Sequence, residues 1–207
     1  MIAFHKVPES ILYPYPLIFI HGAWHDSFYW HTITDDLCKK GWEIYAIDLP
    51  GHGSDRVNRK LNLICFRDYL NHLELVLSDI GKKVILVGHS MGGMVVQKYL
   101  QKNSCVAAIL MAPVPHFGVF NLVLNAIRKF PFVVLRAFLS GNLFYMINTL
   151  DKADYWLYND EMTLEQKKMY FEHLQNESFL AFFTLLLPKL NKKNCGRISI
   201  LLIAAEN

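Results

Sequence analysis

Short apolar runs alternate with segments of helical periodicity through residues 17–111. The apolar runs predict strands at 17–20, 42–47, 83–87 and 106–111. The segments between them carry apolar side chains on one face and predict helices ending at Lys40, Ile80 and Lys102. Because strands this apolar are covered on both faces, the alternation predicts an α/β protein with a doubly wound, mostly parallel sheet.

After Pro113 the pattern changes to helical periods without strands. It predicts helices at 120–130, 133–138, 143–150, 163–174 and 179–187, the fourth beginning at a capping box, Thr163-Leu164-Glu165-Gln166. The strand pattern returns at 198–204. We therefore expect a core formed by residues 1–113 and 197–207, interrupted by a helical cap at 114–196.

Composition excludes several classes of protein. The chain has 207 residues, of which 53% are hydrophobic and 19% charged, so a single folded domain with a large core is expected and a disordered chain is not. The net charge is only +3, and the basic residues occur as scattered pairs, so no nucleic-acid partner is expected.

Cysteine use and the apolar segments indicate the compartment. Cys38, Cys65, Cys105 and Cys195 lie far apart, which predicts neither a disulfide framework nor a zinc site. No secretion signal is readable at the start of the sequence, and Pro113 and Pro115 break its longest uncharged run. We expect a cytoplasmic protein without a transmembrane segment.

The residues that carry chemistry follow the third predicted strand. Gly88-His89-Ser90-Met91-Gly92 satisfies the G-x-S-x-G pattern between a buried strand and a helix. A serine on such a sharp turn exposes its hydroxyl above the sheet, and Gly88 and Gly92 avoid collisions with the neighbouring elements. The pattern predicts that Ser90 is a nucleophile.

Two backbone N–H groups are candidates for stabilising the oxyanion that would form at this serine. The helix that begins at Met91 directs its free N–H groups towards the serine, so the Met91 N–H is the first donor. The loop after the first predicted strand supplies the second, the N–H of Ala23 or, alternatively, of Trp24.

Three motifs, in this order, resemble the α/β-hydrolase superfamily: His21-Gly22-Ala23-Trp24-His25, Asp48-Leu49-Pro50-Gly51-His52-Gly53-Ser54 and Val87-Gly88-His89-Ser90-Met91-Gly92-Gly93. The resemblance covers essentially the whole chain. It implies a serine hydrolase that cleaves a carboxylic ester or related acyl bond, with a histidine as base, an acidic residue that orients it and no cofactor. An acyltransferase, a lyase and a carbon–carbon hydrolase could use the same elbow, and the residues do not separate them.

The superfamily's acid and histidine are expected beyond the strand at 198–204, where the sequence ends. We therefore expect a truncated chain that lacks the last strand and helix of the fold. His116 is a candidate for lining the pocket or replacing the base, and Glu206 for replacing the acid, whereas His21, His52 and His89 are interpreted as loop and packing residues and Asp48 as fastening its own turn. The alternative function is a catalytically inactive remnant or binding module.

The aromatic and leucine-rich cap is interpreted first as a helical core and second as the lining of a pocket. An apolar acyl chain or a small lipophilic ester is the substrate class that this composition favours.

Overall fold

The computed structural model describes residues 1–54, 60–186, 190 and 198–204. Its sheet has six strands in the order β1-β3-β2-β4-β5-β6. The strands are β1 (Ile2–Lys6), β2 (Leu17–Ile20), β3 (Ile44–Ile47), β4 (Ile85–His89), β5 (Ala107–Met111) and β6 (Ser199–Ile203). All neighbours are parallel except β1, which pairs antiparallel with β3. The predicted α/β class and mostly parallel sheet are confirmed.

Three helices of the predicted βα alternation cover the two faces of the sheet: α1 (His31–Lys39), α2 (Phe66–Ile80) and α3 (Met91–Tyr99). One buried cluster joins α2 and α3 to the sheet, and a second lies beneath Trp30 and Leu37 on the side of α1. The helix predicted to end at Lys40 is preceded by a 3₁₀ turn at Ser27–Trp30, which Asp26 caps by accepting from the Phe28 N–H.

In the described part of the stretch between β5 and β6 there are five helices: α4 (Phe120–Lys129), α5 (Pro131–Ser140), α6 (Leu150–Leu157), α7 (Leu164–Glu172) and α8 (Phe179–Leu186). The capping box at Thr163 is confirmed. The single helix expected at 143–150 is wrong. Asn142 caps a 3₁₀ turn at Leu143–Met146, and the Thr149 hydroxyl then accepts from the Lys152 N–H, so that a new helix begins at residue 150.

Strand β6 is not covered as the strands at the centre of the sheet are. It pairs with β5 in register, yet all five of its residues are exposed, including Leu201 at 56% and Leu202 at 62%. Within residues 1–54, 60–186 and 198–204, no strand pairs with its outer edge. The predicted boundary between residues 196 and 197, Cys195 and Glu206 lie outside the described residues.

No helix in the described part of the chain is long and apolar enough to cross a membrane.

Candidate active site

Ser90 occupies a strained turn between β4 and α3. Its φ of 50° lies in a region that L residues rarely adopt, and its ψ is −114°. Three backbone hydrogen bonds hold this conformation: the Ser90 N–H donates to the Met111 carbonyl at 3.0 Å, and the Ser90 carbonyl accepts from Val114 at 3.1 Å and from Met94 at 3.2 Å. The surrounding backbone therefore fixes the strained serine in place.

Both glycines of the turn lie against backbone atoms. A Cβ added to Gly92 would lie 2.4 Å from the Ile20 carbonyl oxygen, and one added to Gly88 would lie 2.6 Å from the Gly92 carbonyl oxygen. Backbone carbonyls cannot move aside as a flexible side chain can. Only glycine fits at either position, and this allows β4, α3 and β2 to approach closely around Ser90.

The three candidate oxyanion donors, the N–H groups of Ala23, Trp24 and Met91, differ in whether they already have a hydrogen-bond acceptor. Among the described residues, neither the Ala23 N–H nor the Met91 N–H has a hydrogen-bond acceptor. By contrast, the Trp24 N–H, on a residue whose φ is 63°, donates to the Glu177 carboxylate at 3.4 Å. The Trp24 N–H is therefore occupied, whereas the Ala23 N–H has no acceptor among the described residues.

Ser90 opens onto a cavity of about 110 Å³ between the sheet and the cap helices. Ala23, Trp24 and Met91 line the cavity together with the serine. The remaining lining is apolar and comes from the segment after β5, including Val123 and Ala126 of α4, Val134 and Ala137 of α5, and Phe182 of α8. His116 is exposed and is not among the lining residues, so the structure does not bring it to this cavity.

Three histidines near the turn are neutral packing groups. His21 Nε2 accepts from the Leu49 N–H at 3.0 Å and its Nδ1–H donates to the Gly22 carbonyl at 2.8 Å, while burial lowers its pKa to about 3. His25 Nδ1–H donates to the Ala23 carbonyl at 2.8 Å, and burial lowers its pKa to about 4. Burial likewise lowers the pKa of His89 to about 4, and its ring stacks on Tyr29. No histidine among the described residues hydrogen-bonds to Ser90 Oγ.

Asp48 fastens the turn after β3, as the sequence predicts. Its two carboxylate oxygens accept from the Ser27 N–H at 2.8 Å and the Ser54 N–H at 2.7 Å. These bonds outweigh burial and lower the pKa of the carboxyl group. Asp48 thus joins the loops that follow β2 and β3, on the same edge of the sheet as Ser90.

Sequence reasoning missed a fully buried carboxylate, Glu177, between α7 and α8. Its oxygens accept from the Tyr69 hydroxyl at 2.6 Å and the Ser178 N–H at 2.7 Å, and one lies 3.3 Å from His52 Nε2. Burial alone would raise the pKa of Glu177, but His52 and these donors outweigh burial and lower it. Burial also opposes the charged form of His52, and Glu177 overcomes that effect and raises its pKa. The sequence signal was weak: a single acidic residue in an aromatic cap.

Comparison with known proteins places this geometry in a family. The sequence model described as the alpha/beta hydrolase family matches residues 17–192. Salicylic acid-binding protein 2 of Nicotiana tabacum is 38% identical over 102 residues, which are 46% of this chain and 38% of that protein. Methyl jasmonate esterase 1 of Vitis vinifera is 34% identical over 104 residues, 47% of this chain and 39% of that protein. The aligned regions thus span well under half of these curated relatives.

Solved structures agree in fold. An extracellular alpha/beta-hydrolase from a Paenibacillus species superposes with a TM-score of 0.70 at 20% identity, over 91% of this chain and 76% of that one. Bromoperoxidase from Bacillus anthracis gives the same TM-score at 14% identity, over 96% and 74%. Since the family model matches residues 17–192, which is most of the sequence, the chain belongs to the alpha/beta hydrolase family.

Proposed function

We propose that the protein is a serine hydrolase that cleaves a carboxylic ester or related acyl bond of a small apolar substrate, with Ser90 as nucleophile. The observation that carries this proposal is the placement of Ser90 in a strained turn at an apolar cavity. Beside it lie two N–H groups, of Ala23 and Met91, that have no acceptor among the residues the structure describes. The esterase names of several curated relatives support the reaction class.

The reaction would proceed through an acyl-serine. Ser90 Oγ attacks the acyl carbon while its proton passes to a base, and the carbonyl oxygen becomes an oxyanion that accepts from the Ala23 and Met91 N–H groups. Collapse of this intermediate breaks the bond to the alcohol, which leaves with the proton. Water then attacks the acyl-serine and releases the carboxylic acid.

The cavity favours a short apolar acyl group. Its lining beyond Ser90 is almost wholly hydrocarbon, and a volume of about 110 Å³ accommodates only a few carbon atoms. The cap at 114–196 would close over this group and the core at 1–113 and 197–207 would hold the nucleophile.

We place the protein in the cytoplasm, because Cys38, Cys65 and Cys105 are free thiols.

A second candidate is a binding pocket without turnover. It is favoured by one observation: within the described part of the chain, no histidine contacts the Ser90 hydroxyl as a general base would. Such a protein would retain the apolar cavity and the free N–H groups, and would hold an ester or acid without cleaving it.

Labelling and turnover separate the two candidates. The protein is treated with a fluorophosphonate and, separately, with p-nitrophenyl acetate, beside Ser90→Ala and the matched control Ser140→Ala. For an esterase we expect labelling at Ser90 and a loss of turnover in Ser90→Ala of roughly 10⁴-fold or more, with Ser140→Ala unchanged. Ester binding without Ser90-dependent turnover would favour the second candidate, whereas labelling that persists in Ser90→Ala would contradict the assignment of the nucleophile.

A further inference from the structure

Helix α5 presents an apolar face to solvent. Phe132 is 83% exposed, Leu135 54% and Leu139 81%, and their i, i+3, i+7 spacing places them on one side of the helix. We call these three side chains the outer face of α5. Single exposed apolar residues are ordinary in proteins, but three large ones aligned on one helix are typical of a surface that is covered in use.

The opposite side of the same helix is also apolar. Val134, Ala137 and Phe138 line the cavity beside Ser90. Phe138 is itself 47% exposed, and its ring packs edge-on against Phe183 of α8, 5.8 Å between centroids, which is 43% exposed. The apolar surface therefore continues from α5 towards α8 and adjoins the cavity.

The charged side chains on α4 and α5 have one sign. Residues 117–150 contain three basic side chains, Arg128, Lys129 and Arg136, and no aspartate or glutamate. All three are exposed, and no ion pair joins them to a carboxylate in the part of the chain that the structure describes. Instead, Lys129 lies 3.8 Å from the centre of the Tyr155 ring, and Arg136 lies 4.1 Å from that of Tyr145.

We propose that α5 docks on an anionic phospholipid surface, with its outer face at the acyl boundary and the three basic side chains beside headgroup phosphates. Helices that lie in a membrane interface combine an apolar face with flanking cations in this way. Each cation near an anionic surface adds to the attraction, and neither α4 nor α5 carries a carboxylate that would oppose it. The proposal is independent of catalysis, since it requires nothing of Ser90.

Vesicle flotation tests the proposal with the full 207-residue chain. The probes are vesicles of phosphatidylcholine alone and of an equimolar mixture with phosphatidylglycerol. We expect the protein to bind the mixed vesicles, and Leu139→Ser to weaken that binding about tenfold because a leucine side chain is lost from the interface. Arg136→Gln should weaken it about fivefold.

The matched control is Leu75→Ser, which removes a leucine that is 66% exposed on α2. We expect it, and Ser90→Ala, to bind as the unaltered protein does. Absence of binding, equal binding to neutral vesicles or equal losses in Leu139→Ser and Leu75→Ser would each overturn the proposal. A further outcome would also overturn it: no binding to vesicles, together with self-association in sedimentation that Leu139→Ser abolishes. The outer face of α5 would then contact a second copy of the chain.

Discussion

At the scale of single residues, the packing around Ser90 requires that residue 92 have no Cβ atom. Gly92 has an ordinary φ, so its requirement for glycine comes from proximity and not from backbone conformation. A Cβ there would meet the carbonyl oxygens of both Ile20 and His21 within 2.5 Å. Gly81 presents the opposite case: its φ is 61°, but a Cβ would meet nothing closer than 3.9 Å. Substitutions at these two glycines therefore allow the cost of a steric collision to be measured separately from the cost of backbone strain.

Gly92→Ala should destabilise the protein more than Gly81→Ala. We expect a loss of about 3 kcal/mol in the free energy of unfolding for Gly92→Ala, because two backbone carbonyls must shift, and about 1 kcal/mol for Gly81→Ala, where only left-handed strain arises. Urea denaturation followed by circular dichroism gives both values. Equal losses would show that the packing around Ser90 is looser than the structure indicates.

At the scale of elements, the segment between α7 and α8 joins the cap to the loops around the site. Gln175 accepts from the Gly53 N–H at 2.9 Å, and its side-chain amide donates to Asp26 at 2.6 Å. Two residues later, Glu177 bonds to Trp24 and Tyr69 and pairs with His52. The free Ala23 N–H precedes Trp24, so this joint also fixes the loop that carries the proposed oxyanion donor.

Glu177→Gln should destabilise the protein by about 3–5 kcal/mol near pH 6, because it leaves the buried His52 imidazolium without its partner. Because the folded protein raises the pKa of His52, this group contributes to the free energy of unfolding. The contribution is full below pH 6.5 and is lost as the pH rises through the raised pKa. The lowered pKa of Glu177 gives one that is full above 4.5 and is lost on acidification. The pair therefore contributes most between pH 4.5 and 6.5.

Chemical denaturation across pH measures this effect. The difference in unfolding free energy between the unaltered protein and Glu177→Gln should shrink as the pH rises above 6.5 and through the raised pKa of His52. Glu161→Gln, the same change at an exposed position of the cap, serves as the control and should show no such difference. A difference that is independent of pH would mean that Glu177 stabilises through Tyr69 and backbone donors alone.

The elements that sequence could predict are those whose signal is local. Strands β2 to β5 lie in apolar runs of the sequence. The capping box that begins α7 is formed by residues only three positions apart, Thr163 and Gln166. Strand β1 escaped because it is a half-exposed edge strand whose partner, β3, lies about forty residues away. Glu177 escaped for a similar reason, since its partners His52 and Tyr69 come from distant segments and meet only in the folded protein.

At the scale of the whole molecule, coverage of the sheet is uneven. The same apolar pattern that predicts buried strands gives β4, with Leu86 and Val87 buried, and β6, with every residue exposed. An apolar run indicates that a strand needs cover, but it does not state what supplies that cover. Strand β6 thus presents both its faces and one unpaired edge in the part of the sheet described here.

An exposed apolar edge strand pairs readily with another strand, so this chain should self-associate through β6. We expect its mass in analytical ultracentrifugation to rise with concentration, and Leu202→Lys to suppress that rise, because a charge at the centre of the interface would be desolvated on pairing. Leu75→Lys places the same charge on the exposed side of α2 and should leave the association unchanged. A mass that stays at the monomer value at every concentration, or an equal effect of both substitutions, would show that β6 does not govern association. The unpaired edge would then be tolerated because the strand is only five residues long.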